Sequence, residues 1–166
     1  AMCPHLQVKK QILVPCPAPK ALDFLQNIAK IEHYEPKLSK ATVYPQTDTL
    51  GSYDTHGYFA GLPWKGKFSY QLTASGFYSE MLEGPVPGLK VSGGFEVGPV
   101  GPDLCLVTHF ERYEYRKWPL VLPLAPMIGL YLSMAMNQEL KDIKQLILED
   151  SYLKEHVRSD KVTPHA

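Results

Sequence analysis

Few side chains in this sequence could do chemistry, and a first pair of them lies on a predicted strand. Asp54 and His56 are two residues apart, so a strand would place both on one face. There a carboxylate could orient an imidazole for general base catalysis. The neighbouring residues predict a hairpin that turns this face outward, so we favour a solvated pair on the exterior of a sheet.

Two further charged residues, Glu83 and Arg112, are predicted to point inward from their strands. Two charges in an apolar interior are costly unless they pair with each other or meet a polar group of a ligand. Arg112 could bind a ligand carboxylate, and Glu83 could act as a base whose pKa desolvation raises. The alternative is that both lie in water at strand ends.

The role of His109 depends on which face of its strand, residues 104–115, points inward. Two alternating sets compete, one with Leu106 and Arg112 and the other with His109. We favour the first set, because it is the more apolar and because a symmetric turn before the strand would pair Leu106 with Phe95. His109 then points to water. On the other facing it enters the interior and becomes the best acid/base candidate.

Known nucleophile, nucleotide and metal motifs are missing from the sequence. There is no G-x-S-x-G, H-E-x-x-H or phosphate loop, and the six histidines have no local ligand spacing. We therefore predict no metal and no cofactor. The three cysteines, Cys3, Cys16 and Cys105, are odd in number and far apart, which disfavours a disulfide framework and favours a reducing, cytoplasmic setting.

Length and charge limit the class of protein. The chain has 166 residues, of which 45% are hydrophobic, enough for one sizeable core. We predict a single domain over residues 1–166, with a structured core over about residues 8–153 and loosely ordered ends. Lys plus Arg and Asp plus Glu both number 17, so no net field collects phosphates and no nucleic-acid partner is expected. Monomer and homodimer both stay open.

The predicted elements are two helical regions separated by short strands. Residues 8–14 alternate as a first strand, and Pro17 and Pro19 suit the start of a helix, where the missing N–H of proline is no loss. A second short helix is predicted over residues 31–37. Strands and turns follow, and a long helix from Pro126 to about Tyr152 closes the chain.

The clearest hairpin signal is the turn Gly61–Trp64, which lies between strands rich in Tyr, Phe and Thr. After it, the even positions from Phe68 onward are apolar and the odd ones polar, the period of a sheet that is wet on one side. The even positions should therefore face the interior. Directly opposed residues share a face, so Tyr53, Thr55 and Phe59 are predicted to join them.

One uncharged stretch, Pro119–Met136, has roughly the length of the shortest membrane-spanning helices. Pro123 and Pro126 argue against a span, because a proline inside a helix removes a hydrogen bond and costs about 3 kcal/mol. The stretch is a candidate for transient membrane or protein contact.

Several large side chains could adapt to a ligand. Met127, Tyr131 and Met134 recur at helical spacing, and methionine suits a surface that moulds to an irregular neighbour. The alternative is plain core packing. Trp64 and Trp118 could cover a cavity mouth or simply anchor their loops.

The order of elements and the segment Ile12–Pro19, Ile-Leu-Val-Pro-Cys-Pro-Ala-Pro, resemble the START/Bet v 1-like superfamily, which includes polyketide cyclases and lipid-binding proteins. The resemblance implies an α+β helix-grip fold. In it a curved antiparallel sheet of about seven strands wraps around a long C-terminal helix, with two short helices after the first strand and a cavity in between. It assigns no catalytic residue, because members of this superfamily differ in their pocket residues.

Two functions follow from these predictions. The leading one is binding or carrying a hydrophobic small molecule that is lipid-, polyketide- or isoprenoid-like. The alternative is an aromatase/cyclase-type enzyme whose cavity positions a polyketide-like substrate for acid/base catalysis, with His109 and Glu83 as weak catalytic candidates. The predicted ligand-binding residues are Tyr53, Thr55, Phe59, Phe68, Tyr70, Leu72, Met81, Glu83, Phe95, Leu106, Phe110, Arg112, Met127, Tyr131 and Met134.

Overall fold

The structure, a computed structural model, describes residues 5–160, and side chains as far as residue 150. The first cysteine, Cys3, and the predicted loose ends therefore lie largely outside the described residues. The strands are β1 (His5–Val14), β2 (Lys40–Pro45), β3 (Leu50–Phe59), β4 (Leu62–Leu72), β5 (Gly76–Glu83), β6 (Leu89–Gly101) and β7 (Leu104–Tyr115). The helices are α1 (Ala18–Gln26), α2 (Ile31–Tyr34), α3 (Trp118–Val121) and α4 (Ala125–Asp160), with single 3₁₀ turns at Ile28–Lys30 and Leu122–Leu124.

One antiparallel sheet of seven strands, in the order β1-β7-β6-β5-β4-β3-β2, forms the body of the fold. The strands β2 to β7 follow each other as a meander, and β1 pairs with β7. The helix α4 packs mainly against β1, and α1 packs against β5, β6 and β7. This arrangement confirms the predicted helix-grip fold.

Prolines set the passage from β1 to α1. Pro17 is the residue that caps α1, and a second proline occupies its first turn, where no backbone N–H is needed. The helix then buries Ala21, Phe24 and Leu25 on one face. These side chains join the main hydrophobic core, together with Val14 and Val107 of the adjacent strands.

The hairpin β3–β4 turns two residues earlier than the sequence predicted. Ala60 and Gly61 form the turn with φ of +48° and +81°, the left-handed conformations that fit the twist of a two-residue hairpin. Phe68 therefore pairs with Tyr53. An even change of register leaves every side chain on its predicted face, so Tyr53 and Thr55 still point inward.

The prediction that Glu83 points inward is wrong. The register between β4 and β5 shifts between Lys67 and Phe68, so Phe68 pairs with Met81 while Lys67 pairs with Glu83. This bulge places Leu82 without a partner and turns Glu83 to the outer face with Lys67. Glu83 is exposed, and it offers no buried base.

The favoured facing of β7 is also wrong. A bulge between Pro99 and Gly101 makes Phe95 pair with His109 and not with Leu106, an odd change of register. Such a change exchanges the two faces of a strand. The inward set is therefore Cys105, Val107, His109, Glu111 and Tyr113, whereas Leu106, Phe110 and Arg112 lie on the other face.

The inward face of α4 differs from the predicted one at its first turns. Met127 and Met134 are 71% and 64% exposed. The buried stripe consists of Leu132, Met136, Glu139, Leu140, Ile143 and Ile147. Met134 precedes Leu140 by six residues, which is about 120° around a helix, so the two cannot share a narrow face.

Candidate functional site

A cavity of about 680 Å³ lies between the sheet and α4. Most of its wall is aromatic or aliphatic, including Tyr53, Phe59, Phe68, Met81, Val91, Phe95, Ile128 and Leu132. Its mouth is marked by lining residues that are exposed, among them Leu62 and Val86. Trp64 and Trp118 also line it. The volume falls in the range of about 300 to 1,000 Å³ that is usual for ligand sites.

Five of the predicted ligand-binding residues line this cavity: Tyr53, Phe59, Phe68, Met81 and Phe95. Thr55, Tyr70 and Leu72 lie behind the wall. The Thr55 hydroxyl donates to the carbonyl of Gly66 at 3.2 Å, and the ring of Tyr70 packs on Tyr53. They support the wall and do not line it.

The remaining predicted residues lie elsewhere. Arg112, 41% exposed, pairs with Glu114 at 2.8 Å on the outer side of β7. Tyr131 is half-buried, and its hydroxyl accepts a hydrogen bond from the backbone N–H of Ala60 at 3.1 Å. Leu106, Phe110, Met127 and Met134 are not among the lining residues either.

The closed end of the cavity carries a cluster of ionisable side chains, which we call the polar cluster: Glu35, Lys37, His109, Glu111, Tyr113 and Glu139. All six line the cavity. The Lys37 ammonium lies 2.8 Å from Glu35 Oε1 and 3.4 Å from Glu111 Oε1. His109 lies between two carboxyl groups, with Nε2 3.3 Å from Glu111 Oε1 and Nδ1 3.0 Å from Glu139 Oε2.

Strand alternation and one helix position bring this cluster together. His109, Glu111 and Tyr113 are alternate residues of β7, so they share its inward face, and the Tyr113 hydroxyl donates to Glu111. The His109 ring stacks on Phe95 with centroids 4.0 Å apart, which fixes its orientation. Glu139 reaches His109 from the buried stripe of α4.

The segment after α2 supplies Glu35 and Lys37. Pro36 keeps Glu35 extended, at ψ 110°, and so ends α2. The Lys37 carbonyl accepts the indole N–H of Trp64 at 3.1 Å and the N–H of Tyr58 at 3.2 Å. A Cβ on Gly57 would lie 1.9 Å from that carbonyl, so only glycine lets the Lys37 segment sit so close to β3.

Burial and neighbouring charges shift the pKa values of the cluster in opposite directions. Desolvation, reinforced by Glu139, raises the pKa of Glu35 to about 8. Desolvation also raises the pKa of Glu139 well above its ordinary value. Desolvation acts on Glu111 as well, but the Lys37 ammonium beside it outweighs burial and lowers the pKa of this carboxyl. These shifts favour a charged Lys37 and an ionised Glu111, and they favour the protonated forms of Glu35 and Glu139.

His109 is kept neutral, because desolvation lowers its pKa. An ionised Glu111, 3.3 Å from Nε2, favours the proton on Nε2, which leaves Nδ1 as the basic nitrogen facing Glu139. The contact of Nδ1 with Glu139 lacks hydrogen-bond geometry. Within residues 5–150, Nδ1, both Glu139 oxygens and the Tyr34 hydroxyl have no hydrogen-bond partner. Buried polar groups of this kind can hydrogen-bond a polar group of a ligand.

The donors of His109, Glu111 and Glu139 lie within 4.8 Å of one another, a set that could hold a divalent ion. The ammonium of Lys37 already places a positive charge beside Glu111. That cation fills the electrostatic role an ion would have, so the absence of a metal stays our prediction.

Sequence reasoning missed Glu35, Lys37, Glu111, Tyr113 and Glu139. One signal was available: Glu139 falls among the apolar positions Met136, Leu140 and Ile143 of a helical stripe, where a carboxyl is out of place. Nothing in the local pattern marks Glu35 or Lys37.

No known family model matches the chain, and no curated protein matches it in sequence. Solved structures do share its fold. The Zhui aromatase/cyclase from Streptomyces sp. R1128 is 13% identical with a TM-score of 0.74, over 86% of this chain and 93% of the other.

Two further structures have the same architecture. A START superfamily protein from Mycobacterium smegmatis is 14% identical with a TM-score of 0.71, over 88% of this chain and 99% of the other. Norcoclaurine synthase from Thalictrum flavum, solved with dopamine and hydroxybenzaldehyde, is 18% identical with a TM-score of 0.67, over 89% of this chain and 88% of the other. At these identities the likeness shows the fold alone, and it agrees with the helix-grip fold that the sequence predicted.

Proposed function

We propose that this START/Bet v 1-like domain binds an apolar small molecule in its cavity and that His109 takes a proton from the bound molecule. The observation that carries the proposal is the position of His109, buried between Glu111 and Glu139 at the closed end of an otherwise apolar cavity. A buried neutral imidazole between an ionised and a protonated carboxyl group suits general acid–base catalysis. The sequence predicted this function only as the alternative.

The chemistry that fits these groups is proton abstraction next to a carbonyl. His109 Nδ1 takes the proton, the C–H electron pair moves toward the carbonyl oxygen, and Glu139 donates its proton to that oxygen. Lys37 is the one Lys or Arg that lines the cavity in the described part of the chain, and its charge stabilises the developing oxyanion. The Glu111 carboxylate, 3.3 Å from Nε2, stabilises the imidazolium that forms. An apolar carbonyl compound, polyketide-like in class, matches this site.

The test is proton exchange on a model compound. Benzoylacetone, an apolar β-diketone, is mixed with the protein in deuterated buffer, and exchange at its central carbon is followed by NMR above the uncatalysed rate. We expect His109→Asn and Glu139→Gln each to slow exchange by about 100-fold or more, because general acid–base groups contribute that much. His56→Asn, an exposed histidine of β3, is the matched control.

Binding is measured in parallel with an apolar fluorescent dye. We expect the two cluster variants to retain dye binding. If wild type and His109→Asn exchange at equal rates, acid–base catalysis at His109 is refuted.

A second candidate function is carriage of the same class of ligand without chemistry. The lining, which is mainly apolar, favours it. Dye binding with no exchange by the wild-type protein on any carbonyl compound of a panel would support the carrier. The cytoplasmic setting, the single domain and the lack of a nucleic-acid partner stay predictions from the sequence.

A further inference from the structure

The outer side of α3, of the 3₁₀ turn that follows it and of the first turns of α4 is apolar and exposed. We call it the apolar face, and it consists of Leu120, Leu122, Leu124, Met127, Leu130 and Met134, each more than half exposed. Single exposed apolar side chains are ordinary, but a contiguous set marks a site of contact. Of the most apolar 18 consecutive residues in this helical region, only 11% are buried inside the protein.

The apolar face continues into the mouth of the cavity. Trp118 and Val121 of α3 line the cavity and are partly exposed. Leu62 at the β3–β4 turn and Val86 in the β5–β6 loop line it and are exposed as well. An apolar surface thus surrounds the opening through which a ligand must pass.

The charges that directly precede this face in the sequence are positive. Arg116 and Lys117 directly precede α3 and are exposed, and no Asp or Glu occurs between Glu114 and Glu139. Neither cation has an ion-pair partner among the described side chains. A second copy offers no acidic residue on this face to meet them, whereas the headgroups of anionic lipids do.

We propose that the apolar face docks on the surface of an anionic lipid bilayer and presents the mouth to the acyl chains. The region is long and apolar enough to span a membrane by length and composition alone. Its other side is already occupied, because Leu132 and Met136 pack with Val8 of β1 and Ile128 lines the cavity. The helix therefore lies along the interface with one side inserted. This inference does not depend on whether the cavity is catalytic.

Vesicle flotation tests the docking. The full chain is mixed with vesicles of phosphatidylcholine, with or without phosphatidylserine. We expect flotation with phosphatidylserine vesicles and its loss in the triple variant Leu120→Gln, Leu130→Gln, Met134→Gln. Replacing Arg116 and Lys117 by Gln should weaken binding to anionic vesicles by about fivefold per cation. The matched control, Leu13→Gln with Val100→Gln, changes comparably exposed apolar residues elsewhere and should float as wild type does.

Orientation is tested with Trp118. In a Trp64→Phe background, we expect brominated phosphatidylserine vesicles to quench Trp118 fluorescence. No flotation by a folded wild-type protein, or no quenching of floated protein, overturns the proposal. Membrane association that resists carbonate extraction would indicate a spanning helix and would also overturn the proposal. A dimer in light scattering that the triple variant abolishes would overturn it too, because it indicates an interface between copies. His109→Asn should float normally, so a failure of the catalytic proposal is distinguishable.

Discussion

The closed end of the cavity buries charge, whereas its mouth exposes apolar side chains. At the closed end, the positive charge of Lys37 and the negative charge of Glu111 compensate one another within the protein. At the mouth, the exposed side chains of Leu62 and Val86 have no such compensation in the described structure, and neither do Leu120 and Met127 on the apolar face beside it. Both arrangements are unfavourable in an isolated domain.

The difference shows how the two ends are stabilised. The polar cluster is assembled by the fold itself, so it is ready before a ligand arrives and loses stability if a member is removed. The apolar face needs something outside the chain, so changes there should alter association and leave folding almost unchanged. The following predictions test this contrast at the closed end, along the cavity wall and on the outer surface.

The largest effect on stability is expected from Lys37→Met. This change leaves the buried Glu111 carboxylate without its cation, which costs about 3 to 5 kcal/mol. Urea denaturation at neutral pH measures the loss. The double variant Lys37→Met, Glu111→Gln removes both charges and should recover much of the stability. Equal destabilisation in the single and double variants would contradict a compensated pair.

A smaller effect is expected from filling the cavity with Val91→Trp. The added ring takes space that a ligand needs, so the affinity for an apolar dye should fall by about tenfold or more, with a stability change of about 1 to 3 kcal/mol. Dye titration and thermal unfolding are compared. Val100→Trp adds the same ring at an exposed site and should leave dye affinity unchanged.

The pH dependence of stability should change in Glu35→Gln. The pKa of Glu35 rises from 4.5 to about 8 in the folded protein, so the unfolded chain loses this proton first. Glu35 therefore stabilises the fold below pH 4.5, and this contribution falls as pH rises through about 8. Urea midpoints across this window should decline less steeply in Glu35→Gln. An unchanged slope would show that Glu35 ionises normally.

The smallest effect is expected from Arg112→Leu on the outer side of β7. Arg112 pairs with Glu114 in a partly exposed ion pair, the kind that contributes about 0 to 1 kcal/mol. Binding of acidic and neutral apolar ligands should be equally unaffected in fluorescence titrations. A selective loss of acidic ligands would restore Arg112 to the cavity and refute the observed facing.

The sequence was enough to predict the fold because each element carries its own signal. Prolines start α1, alternation marks β4, and helical spacing marks α4. The predicted inward facing of Tyr53 is correct although the turn was placed wrongly. The pairing register changed by an even number of residues, which leaves each side chain on the same face.

The candidate site was harder to predict because it depends on bulges and on distant segments. Glu83 and His109 were both assigned to the wrong face because of one unpaired residue, Leu82 in β5 for Glu83 and Val100 in β6 for His109. Lys37 reaches Glu111 across 74 positions of sequence, a contact that no local period reveals. Alternation fixes which residues share a face, but it does not decide which face is inside.

The bulge between Pro99 and Gly101 has an evolutionary consequence. It decides whether His109, Glu111 and Tyr113 or Leu106, Phe110 and Arg112 face the cavity. One inserted or deleted residue in this hairpin would exchange an acid–base lining for one with apolar side chains and a lone cation, with no substitution in β7 itself. A domain of this architecture can thus gain or lose a reactive lining through a change of chain length in a surface turn, where such changes are best tolerated.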